Sequence, residues 1–383
     1  MRNFLGWGRL VAAPAQVPED PVPAPTQEVP VPAPAPEELF QFSDEDEEAL
    51  ERHEALLQAA FASLRAIVEG RYSRSFRVPL SAGALLRESR DVSPQFYFAL
   101  NSEMSFGSAA QGSLSPFAQL LHALDEEAKR RKNRTRDDVL LAARFNNVLP
   151  YAWSNCANFG CFVSPSVVAH QWPLDTNLPD LERAWRKCRC AHVILLGTQD
   201  TPDMPAYWNM FRGSRFKAVS QHLEQCRFET RSSSILLTRF AEWRDFSSPS
   251  DEQVDTVLRL AQYVREATPQ RRVFIHCRAG VGRTGTILLI AKCIDWLLQH
   301  EEETSLPLYE LWLQLRAHRC LLVQVPQQLS FVFRALARYL QLHPELQRGR
   351  GLTLETARSL SSMNSVNSDS SEVWLCTPPH ARR

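Results

Sequence analysis

The sequence lacks a net charge, a long apolar run and any regular spacing of its cysteines. Lysine plus arginine and aspartate plus glutamate number 43 each, so no global field draws the chain to nucleic acid or to anionic lipid. No apolar run approaches the roughly eighteen residues that a membrane span needs, and residues 1–13 are too poorly organised for a secretory signal. These absences predict a soluble protein with no nucleic-acid partner and no membrane span.

The nine cysteines show neither a zinc-binding spacing nor a disulfide framework, although Cys188 and Cys190 are close in sequence. Such an odd and unpatterned set is typical of a reducing compartment. We therefore expect a cytoplasmic setting.

Composition divides the chain into three parts. Nine prolines lie between Pro14 and Pro36, which predicts a Pro-rich disordered tail over residues 1–42. Residues 43–345 have the composition of a folded domain, and residues 346–383 are Ser-rich and predict a second disordered tail. The spacing of Pro18 and Pro21 is the PxxP pattern that SH3 and WW domains bind, although a plain spacer has the same composition.

An N-terminal helix is predicted at the start of the folded part. Ser43 precedes an acidic run that suits a helix N-terminus, and the apolar residues that follow fall on one face as far as Gly70. These residues are Leu50, Leu57, Phe61, Leu64 and Val68. We expect this helix to pack against the rest of the domain, whereas residues 71–115 show no clear pattern.

The chain is organised around residues 271–285, which predict a short strand, a tight loop and the start of a buried helix. Gly280 and Gly282 stand between Cys277 and Arg283, so the backbone can aim successive N–H groups at one point above the sulfur. The helix N-terminus and the Arg283 guanidinium favour an anion at that point and a thiolate below it. The pattern therefore predicts a phosphoryl-binding loop with an ionised nucleophile, and the absence of a lysine after the second glycine excludes a Walker-type nucleotide loop.

This loop resembles the active-site loop of the classical protein tyrosine phosphatases along ten consecutive positions, from His276 to Gly285. The resemblance implies a twisted mixed sheet flanked by helices, so that residues 43–345 would be the catalytic domain with an N-terminal helical extension. It implies no metal and no organic cofactor. In the family the loop amides and the residues around them bind the phosphate, which carries over here to Arg278, Ala279, Gly280, Val281 and Gly282.

Four further segments resemble family motifs in the expected order. Asp245, which lies 32 positions before Cys277, follows Trp243 as in the Trp-Pro-Asp loop that carries the general acid, with Arg244 where proline is usual. Residues 132–135 resemble the Lys-Asn-Arg-Tyr loop, which makes Asn133 and Thr135 substrate-binding candidates, although Thr135 replaces the aromatic wall of the pocket. Residues 171–174 resemble the Gln-Gly-Pro-Leu segment with Trp172 at the glycine, and residues 322–328 resemble the glutamine loop.

The resemblance implies a two-step hydrolysis of phosphotyrosine in proteins. Cys277 would attack the phosphorus while Arg283 holds the oxygens, and Asp245 would protonate the leaving phenol. Gln324 and Gln328 would then place the water that cleaves the phosphocysteine. In addition, Thr284 would hydrogen-bond the sulfur and His276 would help to set its ionisation.

Other functions remain open from the sequence alone. A dual-specificity or phosphoinositide phosphatase would share Cys277 and Arg283, and a phosphotyrosine-binding pseudophosphatase or scaffold would share the fold. The amino-acid sequence of the loop from Cys277 to Thr284 also resembles that of bacterial secreted phosphatases that are delivered into host cells. A secreted effector acting in a host cytoplasm is therefore one hypothesis, and a eukaryotic or viral cytosolic enzyme is the alternative.

Overall fold

The computed structural model describes residues 44–105, 114–132, 155–157, 160–197, 204–230 and 233–348. Residues from Ala49 onward belong to the second of two compact units, Met1–Glu48 and Ala49–Arg383. Residues 1–42, residues 349–383 and the loop holding Asn133 and Thr135 lie outside the described residues. Residues 346–348 were predicted to begin the disordered C-terminal tail, but they end the helix Glu345–Arg348, where the Gln347 side chain donates to the Leu340 carbonyl at 2.7 Å.

A mixed sheet of eight strands forms the centre of the described structure. The strands are β2 (Asn155–Ala157), β3 (Gly160–Ser164), β4 (Val167–His170), β5 (Cys190–Leu196), β6 (Lys217–Ala218), β7 (Glu224–Glu229), β8 (Ser234–Phe240) and β9 (Arg272–His276), and they lie in the order β2-β3-β4-β9-β5-β8-β7-β6. The four inner strands β4, β9, β5 and β8 are parallel, and the outer pairs are antiparallel. This confirms the predicted mixed sheet.

Both faces of the sheet are buried. The helices are α1 (Asp44–Arg65), α2 (Ala82–Arg90), α3 (Pro94–Glu103), α4 (Pro116–Lys132), α5 (Leu178–Lys187), α6 (Val254–Arg265), α7 (Gly282–Gln299), α8 (Leu308–His318), α9 (Pro326–Leu342) and α10 (Glu345–Arg348). Along β5, Ile194 and Leu196 enter one apolar cluster while Val193 and Leu195 enter the other. This alternation is what a strand covered on both sides requires, and it explains why residues 193–196 of β5 form a continuous apolar run.

The N-terminal extension, which here means the residues from Ala49 to the end of α3 at Glu103, packs onto the rest of the domain as predicted. Its internal structure was not foreseen. Helix α1 continues into a π-helical segment, Ala66–Arg71, and Leu64 and Val68 are fully buried. Residues 71–115, which showed no clear pattern, contain α2 and α3. Each begins at a serine, Ser81 or Ser93, whose hydroxyl accepts from a backbone N–H at 3.1 Å. These serine caps were the local signal for both helices.

A short antiparallel pair joins the extension to the far end of the chain. In this second sheet β1 (Val78–Pro79) pairs with β10 (Ser305–Leu306), which follows α7. Helices α2 and α9 also approach closely enough for the hydroxyls of Ser89 and Ser330 to lie 3.1 Å apart. From Ala49 onward, the extension is therefore part of the same compact unit as the sheet.

The parallel strands end together at one edge of the sheet. Cys277 follows β9, Gly197 follows β5, and the segment holding Asp245 follows β8. Ligands of open α/β sheets bind at the carboxyl ends of their strands, so this edge is the natural place for a site.

Candidate active site

The loop between β9 and α7 is held in a narrow shape by backbone contacts. Gly280 has a φ of 69°, and a Cβ built on it would lie 2.0 Å from the carbonyl oxygen of His170. Only glycine fits both the conformation and the space. The buried Arg319 donates from Nε to the Gly280 oxygen at 2.7 Å and from Nη2 to the Ala279 oxygen at 3.0 Å. Because N–H and C=O are opposed across a trans peptide, the amides of Gly280 and Val281 face away from Arg319.

The nucleophile candidate Cys277 is buried, and its surroundings favour the thiolate. Cys277 is 2% exposed, and the pKa of its thiol lies below the ordinary value. Burial raises this pKa most, but the combined effect of the Arg283 charge and the hydroxyl and backbone N–H of Thr284 outweighs burial, and Asp245 opposes them. The Thr284 hydroxyl is buried and makes no other hydrogen bond among the described residues, so the thiolate is its available acceptor.

His276 lies below the loop as a neutral imidazole. Its Nδ1 is 3.2 Å from the Cys277 carbonyl oxygen, which can only accept, so Nδ1 carries the proton. Its Nε2 therefore accepts from the Tyr207 hydroxyl at 2.7 Å. Complete burial, followed by His170 and then Arg283, depresses the pKa of His276 well below its usual range. His276 thus orients the nucleophile's backbone, and its role in setting the ionisation of Cys277 stays a prediction.

Arg283 joins the loop to the acid candidate. Its guanidinium donates from Nη1 to the Trp243 carbonyl at 2.8 Å, and its Nη2 lies 3.2 Å from Oδ1 of Asp245. Trp243 is buried and donates from its indole to the Ser247 carbonyl at 2.9 Å, which closes the acid segment into a turn. The Arg283 side chain is 1% exposed and that of Asp245 is 28% exposed, so the acid borders solvent while the arginine does not.

Gly197 makes the room that this arginine occupies. It has a φ of 106°, and a Cβ built on it would lie 2.0 Å from Nη1 of Arg283 and 3.4 Å from the Trp243 carbonyl oxygen. Its own N–H donates to the Phe240 carbonyl at 2.8 Å, which joins the ends of β5 and β8. The end of β5 therefore forms the wall behind the guanidinium.

The two glutamine candidates lie beside the start of α7. The Gln328 side chain accepts from the Gln324 backbone N–H at 2.8 Å and donates to the Ser247 carbonyl at 3.4 Å. A Cβ on Gly282 would lie 2.9 Å from the Gln328 amide nitrogen and 3.0 Å from the Gln324 amide oxygen. Gln324 and Gln328 thus both lie against the loop that holds Cys277, and Gln328 also contacts the segment that holds Asp245.

The structure brings most of the predicted site residues to one place. Those that lie at the strand-end edge are Cys277, Arg283, Asp245, Gln324, Gln328, Thr284, His276 and residues 278–282. Arg278 is partly exposed, and its carbonyl accepts from the backbone N–H of Trp172 at 2.9 Å. Asn133 and Thr135 lie outside the described residues, and their roles stay predictions.

Several supporting residues were missed by reasoning from the sequence. Tyr207, Arg319 and Gly197 were not among the predicted site residues. Arg316 was also missed, although it is fully buried and donates to the carbonyls of Leu322 and Val323 at 2.9 and 3.0 Å. Arg316 lies four positions after the buried Trp312 on the same face of α8, and an arginine at such a position is the signal that could have marked it.

Parts of the chain are similar to known tyrosine phosphatases. Residues 213–338 match the family described as Protein-tyrosine phosphatase. Receptor-type tyrosine-protein phosphatase eta of Mus musculus is 26% identical over 225 residues, which cover 49% of this chain and 18% of that protein. Tyrosine-protein phosphatase non-receptor type 14 of Homo sapiens is 30% identical over 113 residues, 27% of this chain and 9% of that protein. The chain spans less than a fifth of the length of the curated relatives it matches.

Among solved structures, the catalytic domain of human protein tyrosine phosphatase non-receptor type 18 is similar at 19% identity and a TM-score of 0.47, covering 57% of this chain and 93% of that one. Residues 213–338 are thus similar in sequence to the protein-tyrosine phosphatase family, and parts of the chain are similar to receptor and non-receptor tyrosine phosphatases. No helix within the described ranges combines the length and the apolarity of a membrane span.

Proposed function

We propose that this chain is a tyrosine phosphatase that hydrolyses phosphotyrosine in proteins through a phosphocysteine intermediate. The observation that carries the proposal is the position of Arg283. This one buried guanidinium lowers the pKa of the Cys277 thiol and lies 3.2 Å from the carboxylate of Asp245. Nucleophile, anion-binding cation and acid thus meet around a single point, which is what phosphoryl transfer to a thiol needs.

In the first step the Cys277 thiolate attacks the phosphorus and the bond from phosphorus to the phenolic oxygen breaks. The inward-facing loop amides and Arg283 hold the three non-bridging oxygens, and Asp245 gives its proton to the leaving phenol. A phenolate is a poor leaving group at neutral pH, so this proton is worth orders of magnitude in rate.

In the second step a water molecule attacks the phosphocysteine, the bond from sulfur to phosphorus breaks, and Asp245 takes the proton from the water. Gln324 and Gln328 are the groups that would hold this water, since both side-chain amides lie against Gly282 of the phosphate-binding loop. The link from Gln328 to the Ser247 carbonyl supports a shared position for the water site and the acid segment.

The test compares three substrate classes with the full chain: a phosphotyrosine peptide, a phosphoserine peptide and a phosphoinositide. Turnover of the phosphotyrosine peptide well above the others, with a phosphoenzyme trapped by acid quench, is expected. Cys277→Ser should abolish turnover, because the hydroxyl has no base to activate it near neutral pH. Faster phosphoserine or phosphoinositide hydrolysis would favour the alternative phosphatase classes, and tight phosphopeptide binding without turnover would favour a binding module.

The catalytic-domain limits 43–345 and the functions of the two tails are also proposals. Binding of the Pro-rich residues 1–42 to an SH3 or WW domain rests on the spacing of Pro18 and Pro21 alone. Action as a secreted effector rests on the amino-acid sequence of the loop alone. Delivery of a tagged full chain into host cells by a bacterial carrier would test this proposal.

A further inference from the structure

The backbone just before Gln324 has an unusual conformation. Leu321 and Val323 have φ values of 60° and 61°. A positive φ is rare for any residue with a side chain, and for a β-branched residue such as Val323 it is a genuine outlier. Such a conformation persists only when the surroundings over-determine it, and it occurs most often at functional sites.

Five hydrogen bonds hold this segment. The Val323 N–H donates to the Val281 carbonyl at 3.0 Å, which ties the segment to the phosphate-binding loop. The Leu322 carbonyl accepts from the Trp312 indole at 2.7 Å and from Nε of Arg316 at 2.9 Å. The Val323 carbonyl accepts from Nη2 of Arg316 at 3.0 Å and from the hydroxyl of Tyr97 at 2.8 Å.

Helix α7 also leaves little space beside Leu322 and Val323. A Cβ built on Gly285 would lie 2.3 Å from the Val323 nitrogen, so the strained segment lies directly against the first turn of α7. A shift of Val323 therefore moves either the loop or the glutamine that follows it.

Tyr97 differs from the other donors because it comes from the N-terminal extension. It lies on α3, far outside residues 213–338 that match the phosphatase family. Its side chain is 1% exposed, and burial raises the pKa of Tyr97 while Arg316 partly offsets this, so the phenol stays a neutral donor. From the same helix, the Asn101 side chain accepts from Nη1 of Arg316 at 3.0 Å. Helix α3 thus supplies one donor to Val323 directly and orients the other.

We propose that Tyr97 is a positioning residue for Gln324, through which the N-terminal extension supports hydrolysis of the phosphocysteine. The inference rests on the function proposed above. It assigns the extension to the second chemical step, because the peptide whose carbonyl oxygen Tyr97 binds carries the Gln324 N–H that donates to Gln328, whereas the phosphate-binding loop is bound through the preceding peptide, at the Val323 N–H.

The test uses Tyr97→Phe in the full chain, which keeps the ring and removes only the hydroxyl. Rapid mixing with a labelled phosphotyrosine peptide, followed by acid quench, measures formation and decay of the phosphoenzyme separately. We expect formation to stay within about twofold of wild type and the lifetime of the phosphoenzyme to lengthen by roughly three- to tenfold, as for loss of one buried hydrogen bond. Asn101→Ala should lengthen the lifetime in the same direction, because it removes the side-chain acceptor that orients Nη1 of Arg316.

Tyr309→Phe is the matched control. The Tyr309 hydroxyl is fully buried and has no hydrogen-bond partner among the described residues, and its ring stacks on Phe76 in the same extension-facing core. This variant should leave the lifetime unchanged. The proposal is wrong if Tyr97→Phe leaves the lifetime unchanged, if Tyr309→Phe lengthens it equally, or if formation slows as much as decay. A wild-type chain that forms no phosphoenzyme would instead overturn the proposed function itself.

Discussion

Gly197→Ala is the substitution whose effect on the site follows most directly from the geometry. Its methyl group would lie 2.0 Å from Nη1 of Arg283, whereas carbon contacts are stable at about 3.5 to 4.0 Å. A long arginine elsewhere would simply swing away. Here the guanidinium is 1% exposed and bound to Trp243 and Asp245, so a displacement of about 1 Å or more breaks both contacts. A misplacement of that size in a positioning group costs roughly a hundredfold in rate.

The same substitution also strains the backbone, because alanine at a φ of 106° is unfavourable by roughly 1 to 2 kcal/mol. Gly213→Ala separates the two effects. Gly213 has a φ of 86°, and its Cβ would lie 2.8 Å from the Arg227 carbonyl, away from every site residue. Both variants should lower the melting temperature by a few degrees. Only Gly197→Ala should also lower kcat/KM for a phosphotyrosine peptide by about a hundredfold.

A double-mutant cycle decides whether the effect passes through Arg283. Vanadate affinity, measured as competitive inhibition, should fall in Gly197→Ala and in Arg283→Lys. When Arg283→Lys is already present, adding Gly197→Ala should change the affinity far less than it does in wild type. Equal losses of activity in Gly197→Ala and Gly213→Ala, or full additivity in the cycle, would refute the reasoning.

Three further predictions concern the acid, the ionisation of the nucleophile and the selectivity of the pocket. Asp245→Ala should slow turnover of phosphotyrosine peptide by roughly a hundredfold or more, but slow activated aryl phosphates less, since their leaving groups need no proton; equal losses on both substrates would make Asp245 structural. Thr284→Ala should raise the pKa of Cys277, because it removes a hydrogen bond that lowers this pKa. The acidic limb of the pH profile of kcat/KM, where the thiolate becomes protonated, should therefore move to higher pH. An unchanged acidic limb would contradict this prediction. Thr135→Tyr should raise kcat/KM for phosphotyrosine peptide by roughly two- to tenfold through added aromatic contact, and no gain would show that another side chain already fills that place.

Much of the candidate site was predictable because its chemistry lies within short stretches of chain. The ten residues from His276 to Gly285 hold the nucleophile, the glycines and the arginine in one strand, turn and helix. Local sequence also encodes the apolar run 193–196 of β5, the capping box of Ser250 and Gln253, and the proline at the first position of α9, Pro326. Each depends on contacts between near neighbours in sequence, which local spacing encodes.

The supports of the site depend instead on contacts between residues that are far apart in the chain. Arg319 binds carbonyls of the loop about 40 positions before it, and Tyr97 reaches Val323 across 226 positions. Nothing near these residues in sequence marks them, because an arginine, a tyrosine or a glycine has many ordinary uses. Gly197 is required only because the β5 end meets the guanidinium of another segment. The sequence by itself thus determined which groups are candidates for the chemistry. Only the tertiary structure decided which groups hold them in place, since those contacts exist only after distant segments have packed together.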